Sequence, residues 1–394
     1  MSDRRIRLDY LDEVLAALFP VAPGDAPRPY TLLPHRLVPR RLVPREPYHR
    51  LLGRAVPVPA GDGGIEAHLR RVLGREVRVA LLVRPARRAN RKPVLEVREA
   101  GRRIAYVKVA DTDRVRGLVR HEAAVLRMLE TVPTEVVVAP RVLHHGVWRG
   151  MDVLVLSALP VPRLRRAPSA ALRTAAIREI GGLAAYARWR MWYGGAEPGH
   201  PAASRAAPAP AVAATAGTAL GTAADTVLGT AAGTLTGTPA GTLPRPAPGT
   251  RPGAPGGGPL AADGVPGPPP DAAAAGDGWA WHGDFSPWNI APGPRGRLLV
   301  WDWERFAVGV PPGFDALHHF LHRTLRRAGP ARAARMCLER APRLLAPFGV
   351  ADADAARRTA ARYLVALADR HRRDGHEPFG PPAAWLTPLL EVPS

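Results

Sequence analysis

The chain has 394 residues, a formal net charge of +21 and one cysteine, Cys337. That length allows a substantial core and more than one structural unit. A single cysteine excludes an intrachain disulfide framework and makes the cytoplasm the expected compartment. No secretory apolar core follows Met1-Ser2-Asp3-Arg4-Arg5 and no apolar run of roughly 18 residues occurs, so no membrane partner is expected. The positive charge is nearly all arginine, with lysine only at Lys92 and Lys108. The arginines are scattered, without zinc-finger spacing or an RNP-like aromatic strand. They read as compositional bias, with attraction to phosphates as the alternative and a nucleic-acid partner disfavoured.

Residues 1–69 read as an N-terminal extension of unclear structure. Leu8, Leu11, Leu15 and Leu18 suit one face of a short helix, and the Pro-rich stretch from Pro20 to Pro59 interrupts any long element. Short apolar runs follow at Val77 to Val83, Val94 to Arg98 and Ile104 to Val109, the last two joined by the turn Glu99-Ala100-Gly101-Arg102. They predict antiparallel strands. A helix is expected from Asp113 to Glu130, with Leu118, Glu122, Val125, Leu126 and Leu129 near one face, and then strands at Val142 to Val147 and Val153 to Leu156. Ser157 to Pro162 reads as a hinge and Ala170 to Trp192 as a helix.

Residues 194–278 contain no Phe, Trp, Tyr or Ile, and Gly-Thr recurs from Gly217-Thr218 to Gly241-Thr242. So little apolar area cannot offset the entropy of ordering, and a flexible insertion is expected there. The remainder predicts helices around Phe314 to Leu321, from Ala331 to Ala341 with Pro342 as the stop, and from Ala353 to Arg370. Cys337 is expected to pack in the second of these.

The chemistry concentrates in His282-Gly283-Asp284-Phe285-Ser286-Pro287-Trp288-Asn289 and in Val300-Trp301-Asp302-Trp303-Glu304. A carboxylate can orient an acceptor hydroxyl and receive its proton, while an amide oxygen and a second carboxylate suit a hard divalent ion. Asp284 and Asn289 are also residues that cap turns, and Asp302 has Arg305 nearby as an ion-pair partner. Upstream, Lys108 lies in the alternating run Ile104-Ala105-Tyr106-Val107-Lys108-Val109, and Glu122 sits among the apolar residues of the following helix, where an unpaired charge is costly.

The ordered set resembles the aminoglycoside and choline phosphotransferases, a branch of the protein-kinase-like fold. The resemblance covers about residues 77–192 and 279–375. It implies an α+β, two-lobed protein-kinase-like fold: an antiparallel-sheet N-lobe at 70–158 and a mainly helical C-lobe at 159–394, interrupted by the insertion at 194–278. It also implies transfer of the terminal phosphoryl group of ATP or GTP to a hydroxyl of a small molecule such as an aminoglycoside, amino alcohol or sugar. Asp284 then corresponds to the catalytic base and Asn289 and Asp302 to Mg²⁺ ligands. Lys108 corresponds to the nucleotide-phosphate lysine, with Glu122 as its partner. His282 and Asp315 support the catalytic loop, and Asp315 is equally suited to a helix start.

The connection Arg84 to Lys92 stands where these folds cover the phosphates, yet it has no glycine. Arg87, Arg88 and Lys92 are the residues there that could supply charge. Residues 279–310 leave no room for a long activation loop, which favours a small acceptor; Trp288 could border its pocket. A nucleotide-binding pseudokinase or scaffold is the alternative.

Overall fold

The structure is a computed structural model that describes residues 3–21, 23, 26–33, 40–50, 53–83, 91–162, 164, 166–193, 278–375 and 378–386. The expected insertion therefore lies outside the described residues except for Gly278. After helix α1 (Asp3–Leu18), strands β1 (Pro27–Leu33), β2 (Arg41–Pro44) and β3 (Arg54–Pro59) precede helix α2 (Ile65–Leu73). Next come β4 (Arg78–Leu82), β5 (Val94–Glu99), β6 (Arg102–Ala110), α3 (Asp113–Glu130), β7 (Val137–Val138), β8 (Val142–Trp148) and β9 (Met151–Ser157). Eight of these strands form one sheet in the order β3-β1-β2-β4-β5-β6-β9-β8, with every neighbour antiparallel.

Thus residues 1–69 do not stand apart, because three of their segments widen the sheet. The prolines of β3 fit that placement: Pro57 and Pro59 lie on the edge strand, where a missing N–H can face away from the sheet.

Strand alternation gives the sheet two covered faces. Val153 and Val155 turn toward a cluster with Leu11, Val14 and Leu18 of α1 and Ile65 and Leu69 of α2. Leu154 and Leu156, one residue out of step, join α3 through Val115, Val119 and Leu126. Thr112 starts α3 by accepting the Val115 N–H at 3.4 Å, so the helix begins at Asp113 as expected, with Val119 rather than Leu118 on its buried face.

The later half is mainly helical: α4 (Ala170–Tyr193), α5 (Phe314–Ala328), α6 (Pro330–Leu345), α7 (Ala353–Arg373) and the short α8 (Pro382–Leu386). Between α4 and α5 lie β10 (Trp279–Trp281), β11 (Ile290–Pro292), β12 (Leu298–Val300) and β13 (Ala307–Val310). α6 departs from expectation by running through Pro342 to Leu345. The proline removes one N–H and so one bond to the Leu338 carbonyl, but Cys337, Ala341 and Leu345 are completely buried and hold the last turn in place. No helix among the described residues is long and apolar enough to cross a membrane.

Candidate active site

The loop after β10 carries His282 to Asn289, and the β11–β12 hairpin returns the chain beside it. Ile290 pairs with Val300, and the Trp301 N–H donates to the Asn289 carbonyl at 3.1 Å. This places Asn289 and Asp302 at the same end of one hairpin. Gly283 has φ +79°, and a Cβ there would lie 2.1 Å from the Arg305 carbonyl oxygen, so the middle residue of His-Gly-Asp must lack a side chain. Asp302 itself adopts φ +73°, an uncommon conformation for a residue other than glycine.

Asp315, buried in the first turn of α5, fastens the loop. Its Oδ2 accepts the His282 N–H at 2.7 Å and its Oδ1 accepts the Gly283 N–H at 3.3 Å. The Asp284 N–H donates to His282 Nδ1 at 3.1 Å. The Asn289 amide donates to Asp284 Oδ2 at 2.9 Å and to the Asp284 carbonyl at 3.0 Å. The other Asp284 oxygen, Oδ1, lies 3.1 Å from His318 Nε2, while His318 Nδ1 lies 3.0 Å from the Tyr363 hydroxyl. Arg370 of α7 donates to the Gly283 carbonyl and covers the Trp281 ring.

A second group of side chains is charged. Lys108 Nζ donates to Glu122 Oε2 at 2.5 Å, contacts Asp302 Oδ1, and lies 3.8 Å from Glu304 Oε2. Glu304 in turn pairs with Lys92, which is as buried as its partner. The remaining Glu122 oxygen accepts the Trp303 N–H at 3.2 Å, so this helix residue grips the hairpin through its backbone as well. The chain's only two lysines therefore share one carboxylate, that of Glu304.

Burial sets most of the electrostatics. It raises the Asp284 carboxyl above its usual range, with Asp302 adding to the effect. It pushes Asp315 up to about 7 against the two backbone N–H groups that favour its anion. It also lowers His282 to about 4, so that imidazole is neutral near pH 7. For Lys108 burial acts downward, but Asp302, Glu122 and Glu304 outweigh it and the ammonium form prevails. Burial raises Glu122 while Lys108 draws it down.

The site therefore brings together Asp284, His282, Asp315 and Asn289 in one set, and Lys108, Glu122, Asp302 and Lys92 in another. Arg87 and Arg88 lie outside the described residues. Lys92 arrives as the buried partner of Glu304 rather than as an exposed loop charge. Arg305 pairs with Asp374, while Asp302 meets Lys108, so the local ion pair allowed by sequence is not the one formed.

His318, Tyr363 and Glu304 were not singled out by sequence. A signal for His318 was present, since Asp315 and His318 are three residues apart on α5 and share the face toward the loop. Carboxylate oxygens of Glu122, Asp302 and Glu304 lie within 4.8 Å of one another, gathered around the Lys108 ammonium group. Hard oxygen donors of this kind suit a divalent ion, and Asn289, whose amide nitrogen is spent on Asp284, has an amide oxygen of the same character.

No family model and no curated protein matches the chain. Solved structures do. An aminoglycoside phosphotransferase of Streptomyces rimosus, in complex with ADP and streptomycin, is 18% identical over 69% of this chain and 88% of its own, with a TM-score of 0.33. Choline kinase LicA of Streptococcus pneumoniae is 13% identical over 83% of this chain and 98% of its own, with a TM-score of 0.37. The GDP complex of aminoglycoside 2′-phosphotransferase-IIIa is 12% identical over 76% and 88%, at 0.39. At these values the likeness carries no activity over to this chain.

Proposed function

We propose that the protein transfers the terminal phosphoryl group of ATP or GTP to a hydroxyl of a small molecule. The observation that carries this reading is the meeting of Lys108 from the sheet, Glu122 from α3 and Asp302 from the β11–β12 hairpin in one buried cluster. Asn289, at the same end of that hairpin, links it to Asp284. A capped turn alone accounts for none of these contacts across distant segments.

In this reading Lys108 orients the nucleotide phosphates, and Glu122 holds its ammonium group in place. Asp284 orients the acceptor hydroxyl and takes its proton, a role suited to a carboxylate raised by burial. Asp315 and His282 keep the loop in the conformation that presents Asp284. Asn289 and Asp302 would hold Mg²⁺, which when bound offsets charge on the phosphates. Lys92, through Glu304, keeps the hairpin's acidic end close to the sheet.

The test is an assay of the purified protein with Mg²⁺ and ATP or GTP against aminoglycosides, amino alcohols, sugars and nucleosides. Nucleotide consumption matched by a phosphorylated acceptor, and lost in Asp302→Ala, is expected. Absence of nucleotide binding, or an Asp302→Ala variant that works as well as the parent, overturns the reading. Nucleotide binding without transfer to any acceptor would favour a pseudokinase or scaffold instead.

A further inference from the structure

Asp284 is held at both oxygens, and the two holders are chemically alike. Asn289 donates an amide hydrogen to Oδ2, and a histidine nitrogen faces Oδ1 at 3.1 Å. His318 is completely buried in α5, and its other ring nitrogen faces the equally buried Tyr363 hydroxyl at 3.0 Å. A neutral imidazole has one N–H and one lone pair, so the two contacts cannot be assigned independently. Against an ionised Asp284, Nε2 must carry the hydrogen. Nδ1 then has only a lone pair, and the Tyr363 O–H must donate to it. The opposite tautomer would set a lone pair against the carboxylate.

We propose that His318 is a positioning residue for Asp284, whose carboxylate fixes the tautomer in which His318 Nε2–H donates to Asp284 Oδ1, with the Tyr363 O–H donating to Nδ1 and holding the ring in place. This rests on the reading of Asp284 as the group that orients the acceptor hydroxyl. Aimed by two neutral donors, the carboxylate has its plane fixed without a full positive charge at its oxygens. A cation in hydrogen-bond contact would favour the anion and weaken it as a proton acceptor. No proton leaves the pair: His318 keeps its Nε2 hydrogen and Tyr363 its phenolic one.

The surroundings suit a neutral ring. The His318 ring meets those of His322 on its own helix, Tyr363 of α7 and Trp281 of β10, and Arg370 and His371 of α7, His282 of the loop and His319 are close enough to act on its charge. Burial, followed by the neighbouring Arg370, drives its basicity well below that of a free imidazole. A charged His318 would sit without solvent beside an arginine.

Two measurements on the full chain test the assignment separately from the proposed activity. In ¹⁵N-histidine-labelled protein, two-bond ¹⁵N–¹H spectra report which ring nitrogen is protonated, and the His318 signals are identified by their loss in His318→Gln. The expected wild-type pattern is the Nε2–H tautomer, and Tyr363→Phe is expected to keep that tautomer while shifting the Nδ1 resonance, which loses its hydrogen-bond donor. An Nδ1–H tautomer in the wild type, an imidazolium pattern at neutral pH, or a Tyr363→Phe spectrum with unchanged His318 signals overturns the proposal. These outcomes are read whether or not any acceptor is phosphorylated.

In the kinetic arm, His318→Leu is expected to lower kcat by about 10–100-fold with little change in nucleotide KM, as loss of an orienting partner does. His318→Gln, whose side-chain amide offers a donor in place of Nε2–H, is expected to recover most of that loss. Equal losses in both variants, or a loss confined to nucleotide KM, overturns the positioning role.

Discussion

Around Lys108 the buried carboxylates are held by ammonium groups, whereas around Asp284 they are held by backbone N–H groups, an amide and an imidazole. Both regions solve the same problem, since an anion removed from water must be compensated. The charged solution suits side chains that would exchange partners when phosphates and a divalent ion arrive. The neutral solution suits the role proposed for Asp284, a carboxylate fixed in direction and able to accept a proton. The two regions meet at Asn289, which donates to Asp284 and lies at the hairpin end that carries Asp302.

The largest effects should separate the regions by what they disrupt. Asp284→Asn keeps the side-chain shape but removes the carboxylate proposed to accept the proton. It is expected to lower kcat by about 10²–10⁴-fold with the thermal midpoint and nucleotide affinity little changed. Matched single-turnover and nucleotide-titration measurements read both quantities.

Lys108→Met strikes the other region and should affect stability as well as activity. Removing one member of a buried pair leaves uncompensated charge, with a cost of about 3–5 kcal/mol. Glu122, Asp302 and Glu304 would then repel one another, with Lys92 still in contact with Glu304. Their carboxyl groups should bind protons more tightly folded than unfolded, so stability falls as pH rises. Urea unfolding at pH 5 and pH 8 is expected to show a larger deficit from wild type at the higher pH. A deficit independent of pH would contradict the charged character assigned to this cluster.

Gly283→Ala tests the backbone that joins the regions. The φ of +79° and the 2.1 Å approach of a Cβ to the Arg305 carbonyl make any side chain strained there. A cost of about 1–3 kcal/mol is expected in equilibrium unfolding, with reduced turnover because Asp284 is the next residue.

How much of this was legible in sequence follows from chain distance. Asp284 and Asn289 lie in one loop, and Asp302 lies across the short hairpin, so their chemistry is visible as a motif. The bounds of α3 were readable because Thr112 caps its start and its apolar spacing is regular. The strands of residues 27–59 were not, since prolines break the alternation in all three: Pro27 and Pro29 in β1, Pro44 in β2, and Pro57 and Pro59 in β3. Pro342 misled in the opposite direction, because the burial of Ala341 and Leu345 carries the helix past it. Lys92 and Glu304 are 212 residues apart, and His318 and Tyr363 are 45 apart, so neither pair leaves a local pattern.

A pH-dependent effect concerns Asp315, the anchor of the neutral region. Burial pushes its carboxyl up to about 7 from 3.8, so between those values the folded protein holds a proton that the unfolded chain has released. Its contribution to stability therefore falls as pH rises from about 4 to 7, by up to about 1.4 kcal/mol per unit. In Asp315→Asn that slope should shrink. Denaturant midpoints across this pH range check it, and an unchanged slope would assign the titration elsewhere.

The smallest effect on stability is expected at Trp288. Its ring is 44% exposed and meets His322 edge-on at a centroid distance of 5.2 Å, while His322 lies against His318 and so beside Asp284. Trp288→Ala should leave unfolding free energy within about 0.5 kcal/mol of wild type, as surface substitutions do. A ring packing on an acceptor contributes about 0.5–1.5 kcal/mol, so acceptor KM should rise roughly 2–10-fold while kcat and nucleotide KM hold. An effect on nucleotide KM instead would place this aromatic face with the Lys108 region. The acceptor would then approach Asp284 from another side.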